Sequence, residues 1–244
     1  MTTPRVQSEW IEGGLLRYFD PVTYETIRVE APVYFSDDFT DDTLETAAWT
    51  VAGVNSGTAA INAAENGTIR ITTGDADDDD VDVAGEIVWN TGNCCGCEAK
   101  ITVADVSGCA INFGFSDAKG EAADVIAMMI SSSTTAVSAA SDGALFVWDP
   151  DAATDYIYGA TVSNDVDGTL RNNATAWVDA ASHILRIQFD GESYAHFYID
   201  GAHVAKSSAA VRTTNDLCLY LGMINRESTA NDVDVDYVKA WQLR

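Results

Sequence analysis

The side chains most capable of chemistry in this 244-residue chain are three crowded thiols, a run of carboxylates and three imidazoles. Cys94-Cys95-Gly96-Cys97 holds three of the five cysteines. A structural zinc site needs four ligands, normally as two spaced pairs, and the next cysteine is Cys109, so the spacing is wrong. Reduced thiols acting as small buried hydrophobes at a strand start are the expectation. Asp75, Asp77, Asp78, Asp79, Asp80 and Asp82 form a dense acidic run. Calcium takes several oxygen ligands, but the run lacks the sixth-position Gly and twelfth-position Glu of an EF-hand loop, and it reads as a solvated acidic loop. His183, His196 and His203 fall in or beside one β-rich stretch, and no serine sits in Gly-x-Ser-x-Gly, so a nucleophile triad has no local support. The histidines read as surface residues of strands. Asn66-Gly67-Thr68 and Asn173-Ala174-Thr175 match the glycosylation sequon, but no secretion signal accompanies them.

The element that organises the chain is Ile184 to Lys206, read as three strands and two tight turns. Asp190-Gly191-Glu192-Ser193 and Asp200-Gly201 reverse the chain, because glycine tolerates the positive φ of such turns. Successive antiparallel pairings then bury one face and leave the other wet. Further strand-like runs are Gly67 to Thr73, Val81 to Trp89, Cys97 to Val106, Cys109 to Phe115, Val125 to Ser131 and Ala144 to Trp148. Others are Tyr156 to Thr161, Thr169 to Trp177, Leu217 to Ile224 and Val233 to Trp241. Residues 133–141 suit either a helix or a loop. More than a dozen short strands with almost no 3.6-residue periodicity imply an all-β sandwich or jelly roll. Residues 1–32 differ from the rest: Leu15 to Asp20 and Glu25 to Glu30 flank Pro21-Val22-Thr23-Tyr24 as a hairpin arm. An isolated hairpin is marginal in water, so it is expected to pack on the body or on another chain. The domain reading is therefore an anchoring arm over 1–32 and a β-sandwich over 33–244.

A 47% hydrophobic content with six Trp, nine Tyr and eight Phe excludes global disorder, and the length suffices for one sizeable core. Thirteen basic against 38 acidic residues leave a formal charge of −25, which disfavours nucleic acid and anionic membranes as partners. No stretch approaches the roughly 20 apolar residues of a membrane helix. The N-terminus lacks the pattern of a secretion signal, so synthesis in the host cytoplasm is expected. Trp49, Trp89, Trp148, Trp177 and Trp241 lie in or near strand candidates, where aromatics fill a sandwich core.

Phe197, Tyr198, Asp200 and Gly201, and then Val235, Asp236, Tyr237, Val238, Lys239 and Trp241, resemble the late strands of the concanavalin A-like, laminarinase-like jelly rolls. Phe35-Ser36-Asp37-Asp38-Phe39 followed by Trp49 is similar to that family's first strand, so the resemblance covers about 33–244. It implies a jelly-roll β-sandwich of two antiparallel sheets, and the fold hosts hydrolases, lectins, adhesion modules and virion proteins alike. Retaining hydrolases of the family carry Glu-x-Asp-x-x-Glu on one strand, which sets a nucleophile and an acid at short separation. No Glu in this chain is followed two positions later by Asp, so no catalytic residue is expected and the chain is read as not an enzyme. Related jelly rolls often hold a structural calcium, which by resemblance implicates Asp236 and Asp37 or Asp38. No other cofactor is implied. If a glycan is bound, Trp148, Tyr156 and Tyr158 are the candidates beside a loop.

The expected function is that of a capsid decoration or cement subunit of a tailed bacteriophage, sited on the virion surface. Its partners would be the major capsid protein and copies of itself, as a trimer. The arm, through Trp10, Leu15, Leu16, Tyr18, Phe19, Tyr24 and Ile27, would augment a neighbouring chain's sheet. The alternative is a carbohydrate-binding module or host-surface adhesin that takes a cell-surface glycan.

Overall fold

The computed structural model describes residues 9–12, 15–20, 25–29, 33–53, 56–62, 67–131, 135–172 and 174–243, the first three segments as backbone strands. Those segments, β1 (Glu9–Glu12), β2 (Leu15–Asp20) and β3 (Glu25–Val29), pair antiparallel into a small sheet of their own. The hairpin anticipated from β2 and β3 is there, with β1 added along the free edge of β2.

The strands that follow are β4 (Val33–Asp37), β5 (Thr50–Gly53), β6 (Thr58–Asn62), β7 (Thr68–Thr72), β8 (Asp80–Ala84) and β9 (Gly96–Val103). Next come β10 (Cys109–Ser116), β11 (Met128–Ser131), β12 (Thr135–Ser138), β13 (Asp142–Trp148), β14 (Tyr158–Ser163) and β15 (Val166–Asp167). The last are β16 (Arg171–Asn172), β17 (Ser182–Phe189), β18 (Ala195–Ile199), β19 (Ala202–Lys206), β20 (Cys218–Asn225) and β21 (Asp232–Gln242).

Two antiparallel eight-stranded sheets make the body. Sheet I runs β15-β14-β13-β10-β20-β8-β5, with β16 beside β14. Sheet II runs β19-β18-β17-β9-β21-β7-β6, with β4 beside β21. Between them lies the main core, in which Phe113, Phe115, Phe146 and Leu221 of sheet I meet Ile101, Ile187, Phe197 and Val235 of sheet II. The turn between β18 and β19 has positive φ at Asp200 and Gly201, the backbone that a two-residue hairpin needs to match strand twist.

The two sheets differ on their outer faces, and burial patterns show it. In sheet II, β18 alternates buried and half-buried residues, as a strand with one solvated face must. In sheet I every residue of β8, β10, β13 and β20 is buried. Continuous apolar runs such as Cys218-Leu219-Tyr220-Leu221 already suggest two covered faces. The cover is the excursion from β10 to β13, which includes the β11–β12 hairpin. Met128, Ile130, Ala136 and Ala140 from it pack on Leu145, Val147, Ala160 and Tyr220, forming a second core outside sheet I.

Two expectations are corrected here. Thr169 to Trp177 is not a continuous strand: among the described residues Arg171–Asn172 pairs with β14, Thr175 O accepts from Ile157 N–H, and the Trp177 ring turns into the core with its indole N–H donating to Ala181 O at 3.0 Å. Within 133–141 the described residues carry β12 rather than a helix, because the hairpin lays its apolar side on sheet I.

Candidate functional site

The outer face of sheet I is built from strand alternation. In Asp80-Val81-Asp82-Val83-Ala84 the valines point into the main core, so both aspartates emerge on the opposite side. The acidic run divides: Asp75 and Asp77 sit in an exposed loop, as expected, whereas Asp79, Asp80 and Asp82 are buried, which corrects the solvated-loop reading for that end. Asp80 and Asp82 are buried because they fasten the excursion that roofs the sheet, while Asp79 accepts from Ala76 N–H within its own loop. Asp82 Oδ2 accepts from Glu121 N–H at 2.8 Å and Asp80 Oδ1 from Asp124 N–H at 3.0 Å. Tyr220 Oη accepts from Ala127 N–H at 2.9 Å, and Asn112 Oδ1 from Met128 N–H at 2.8 Å. Asp149 Oδ2 accepts from Ile130 N–H at 2.9 Å. Tyr220 also donates its hydroxyl to Asp82 Oδ1. It reaches there because Gly222, paired with Asp82, has no side chain; a Cβ on Gly222 would stand 2.6 Å from the hydroxyl.

Burial, reinforced by the nearby charge of Asp80, pushes the Asp82 carboxyl up to about 6 against the donors from Tyr220 and Glu121. Burial followed by the charges of Asp82 and Asp117 pushes Glu121 up to about 7, and its Oε1 is buried without a hydrogen-bond partner. Carboxyls that hold protons near neutrality are the chemistry of a general acid. Under the closed roof the Asp82 carboxylate holds the excursion through the Glu121 N–H. The search for Glu-x-Asp-x-x-Glu passes over them, since Glu121 comes from a different segment; the Asp80-x-Asp82 alternation within a Val-rich strand was the available signal.

The outer face of sheet II is open. At β17 and β18 a groove of about 200 Å³ is lined by Gln188, Phe189, Asp190, His196 and Tyr198. The Arg186 guanidinium lies 4.0 Å from the centre of the Tyr198 ring, and Lys206 Nζ 4.4 Å from that of Tyr194. Asp190 accepts from the backbone of Glu192 and Tyr194, from Lys206 at 2.8 Å and from His196 Nε2 at 3.2 Å. Burial works to raise its carboxyl, and these donors outweigh that and hold it well below the usual range. His196 and His203 touch ring to ring, and His183 Nδ1 lies 2.8 Å from Asp200 Oδ2, so the surface histidines are partnered. A larger recess of about 330 Å³, beside Tyr34, Phe35, Val88 and Trp89, is almost wholly apolar.

The structure redistributes the other sequence candidates. Trp148 is a core residue: it is 2% exposed, stands edge-on to Trp177, and its indole N–H donates to Val106 O at 2.8 Å. Tyr158 is 3% exposed and bonded to Thr154, so neither ring offers a face to a glycan; Tyr156 is half-buried against the same second core. All five tryptophans expected in the core are there. Asp37 and Asp236 do not fit a calcium site. Both oxygens of Asp37 accept from protein donors, Phe39 N–H and the Trp49 indole, and Asp236 is paired with Lys100 Nζ at 2.5 Å. Among the described residues no group of three or more His, Cys, Asp or Glu is placed to hold a metal ion. Cys95 and Cys97 are buried free thiols, and burial pushes both well up, away from reactive thiolates. Of the arm candidates, Trp10, Leu15, Leu16, Tyr18, Phe19 and Ile27 lie on β1 to β3, while Tyr24 lies outside the described residues, as do Asn66 and Asn173 of the sequons.

No protein-family model matches this chain, and neither does any curated protein sequence. Solved structures do share the fold. The carbohydrate recognition domain of Emp47p superposes with a TM-score of 0.63 at 9% identity, covering 86% of this chain and 95% of that one. A GH16 protein of the Bacteroides ovatus mixed linkage glucan locus, in complex with a product, gives 0.57 at 12% identity over 84% and 99%. A structure reported with endo-acting O-glycanases of the human gut microbiota gives 0.58 at 12% identity over 86% and 99%. The fold is thus that of the concanavalin A-like β-sandwiches, the class of scaffold on which these lectin and glycosidase structures are built. The expectation that the chain is not an enzyme is corrected accordingly. Glycosidases stand among the structures of this fold, so the absence of one linear carboxylate motif does not exclude activity.

Proposed function

We propose that the chain is a carbohydrate-recognition domain of the concanavalin A-like class, binding its glycan in the groove on β17 and β18. The observation that carries this reading is the open groove beside Tyr198, Gln188, Asp190 and His196, where an aromatic ring adjoins several fixed donors and acceptors. Pyranose rings offer that mixture, an apolar CH face beside hydroxyls, and sites of this kind combine a concave surface with few well-placed polar groups. The larger recess near Trp89 is mainly apolar, with Glu86 as its charged lining residue. Titration calorimetry with a panel of β-glucan and mucin-type oligosaccharides tests it. Saturable binding that weakens at least tenfold in Tyr198→Ala, with an unchanged melting temperature, is expected; equal binding by that variant would place the site elsewhere. Release of new reducing ends from the same oligosaccharides measures cleavage separately.

A second reading, decoration of a tailed-phage capsid, is supported by one feature. Strands β1 to β3 form a sheet hydrogen-bonded to neither sheet of the body among the described residues, as expected of a segment that docks on the major capsid protein or on copies of this chain at the virion surface. Deleting residues 1–32 should abolish co-sedimentation with capsids while the sandwich still melts cooperatively. Undiminished co-sedimentation would sink it.

A further inference from the structure

We propose that His196 and His203 form a two-imidazole chelate for a borderline transition-metal ion, zinc, nickel or copper(II), with Asp190 as its supporting carboxylate. The arrangement begins with the two-residue turn at Asp200-Gly201, which pairs Ile199 with Ala202 and Tyr198 with His203. Directly paired residues of an antiparallel ladder share a face, and Tyr198 lies two positions from His196, so His203 comes out diagonal to His196 on the same face. Beyond His203 the register shifts, Phe197 faces Ala205 and Val204 is the extra residue, which brings Lys206 onto that face opposite His196. Val204 and Ala205 both pack toward the core.

His196 Nδ1 and His203 Nε2 then stand 3.1 Å apart. With metal–nitrogen bonds of about 2.0–2.1 Å, two imidazoles on one ion have their ligating nitrogens about 2.8–3.4 Å apart for angles between a square and a tetrahedral corner. The pair is set at chelating separation without any movement of the backbone.

The tautomers are set as well. Asp190 accepts from Lys206 Nζ and from the backbone N–H groups of Glu192 and Tyr194, and the same acceptor role faces His196. His196 Nε2, 3.2 Å from Asp190 Oδ2, must therefore carry the proton, which leaves a lone pair on Nδ1 directed at His203. In the metal-free protein the Nε2–H of His203 fills that lone pair. When an ion enters, His203 carries its proton on Nδ1 instead, both facing nitrogens become ligands, and no net proton is released. Carboxylate, imidazole and metal in sequence are the usual outer support of a histidine ligand. With two protein ligands, water or a sugar hydroxyl completes the coordination. The site does not depend on the carbohydrate reading.

The test is titration calorimetry of the full chain with zinc chloride at pH 7.5, repeated with nickel and, as a hard-ion control for so acidic a protein, calcium. One saturable zinc site is expected, accompanied by shifts of the His196 and His203 ring resonances in NMR spectra. His203→Ala, an exposed position, should abolish that site, and His183→Ala should leave it intact. Asp190→Asn should weaken it by about tenfold or more. Zinc binding of unaltered affinity in His203→Ala, or none in the wild type, would overturn the proposal.

Discussion

Asp82→Asn tests the roof over sheet I most directly, because the substitution removes one titration and its expected signature is a change with pH rather than an absolute cost. The Asp82 carboxyl rises from an ordinary 3.8 to about 6 in the folded protein. A raised carboxyl contributes stability that is fully present below the unfolded value and is lost as pH climbs through the folded one. The whole difference is worth about 3 kcal/mol, of which about 1.4 kcal/mol falls between pH 5 and pH 8. Wild-type protein loses that increment over the interval, and the Asp82→Asn variant does not. Whatever fixed cost the new amide incurs against Tyr220 and the Glu121 N–H, the stability of the variant relative to wild type should improve by about 1.4 kcal/mol from pH 5 to pH 8. Glu121 acts in the same sense, since loss of the Asp82 charge removes one of the influences that raise its own carboxyl. In melting temperature the relative gain is about 3–6 °C for a chain of this size. Differential scanning calorimetry of both proteins at pH 5, 6, 7 and 8 reads it. A melting-temperature difference that stays flat across the series would refute the claim that Asp82 is buried as a proton-holding fastener.

Two other substitutions have expected outcomes set by burial. Arg226 lies against the fully buried Asp149 and against the partly exposed Asp78, so Arg226→Ala should destabilise by about 3–5 kcal/mol in urea unfolding, with added salt recovering little of it, because Asp149 is left as a buried charge. Trp148→Ala should lower stability by about 3–5 kcal/mol while leaving any glycan affinity at 25 °C unchanged, as befits a core ring rather than a binding platform.

The strands were legible because their physics is local. Phe197 and Ile199 alternate with His196 and Tyr198, and Asp200-Gly201 supplies the left-handed turn, so three strands could be placed between Ile184 and Lys206 with ends close to those observed. The buried end of the acidic run was misjudged for the opposite reason. Whether Asp80 and Asp82 meet solvent depends on a segment some 40 residues downstream folding over them, and no property of the run itself reports that. The contact between His196 and His203 follows from the Asp200-Gly201 turn, which pairs Tyr198 with His203 and so sets both imidazoles on one face; what the sequence does not report is the extra residue in β19 that brings Lys206 alongside them.

From its sequence alone this chain is an antiparallel two-sheet sandwich with a buried tryptophan set, since side-chain alternation and turn residues act over a few positions and need no distant partner. Tertiary structure alone decided which outer face is roofed, which carboxyls burial raises, and where a groove stays open. Those are properties of desolvation and of contacts between strands far apart in the chain, and the excursion from β10 to β13 settles them by covering one sheet and leaving the other to water.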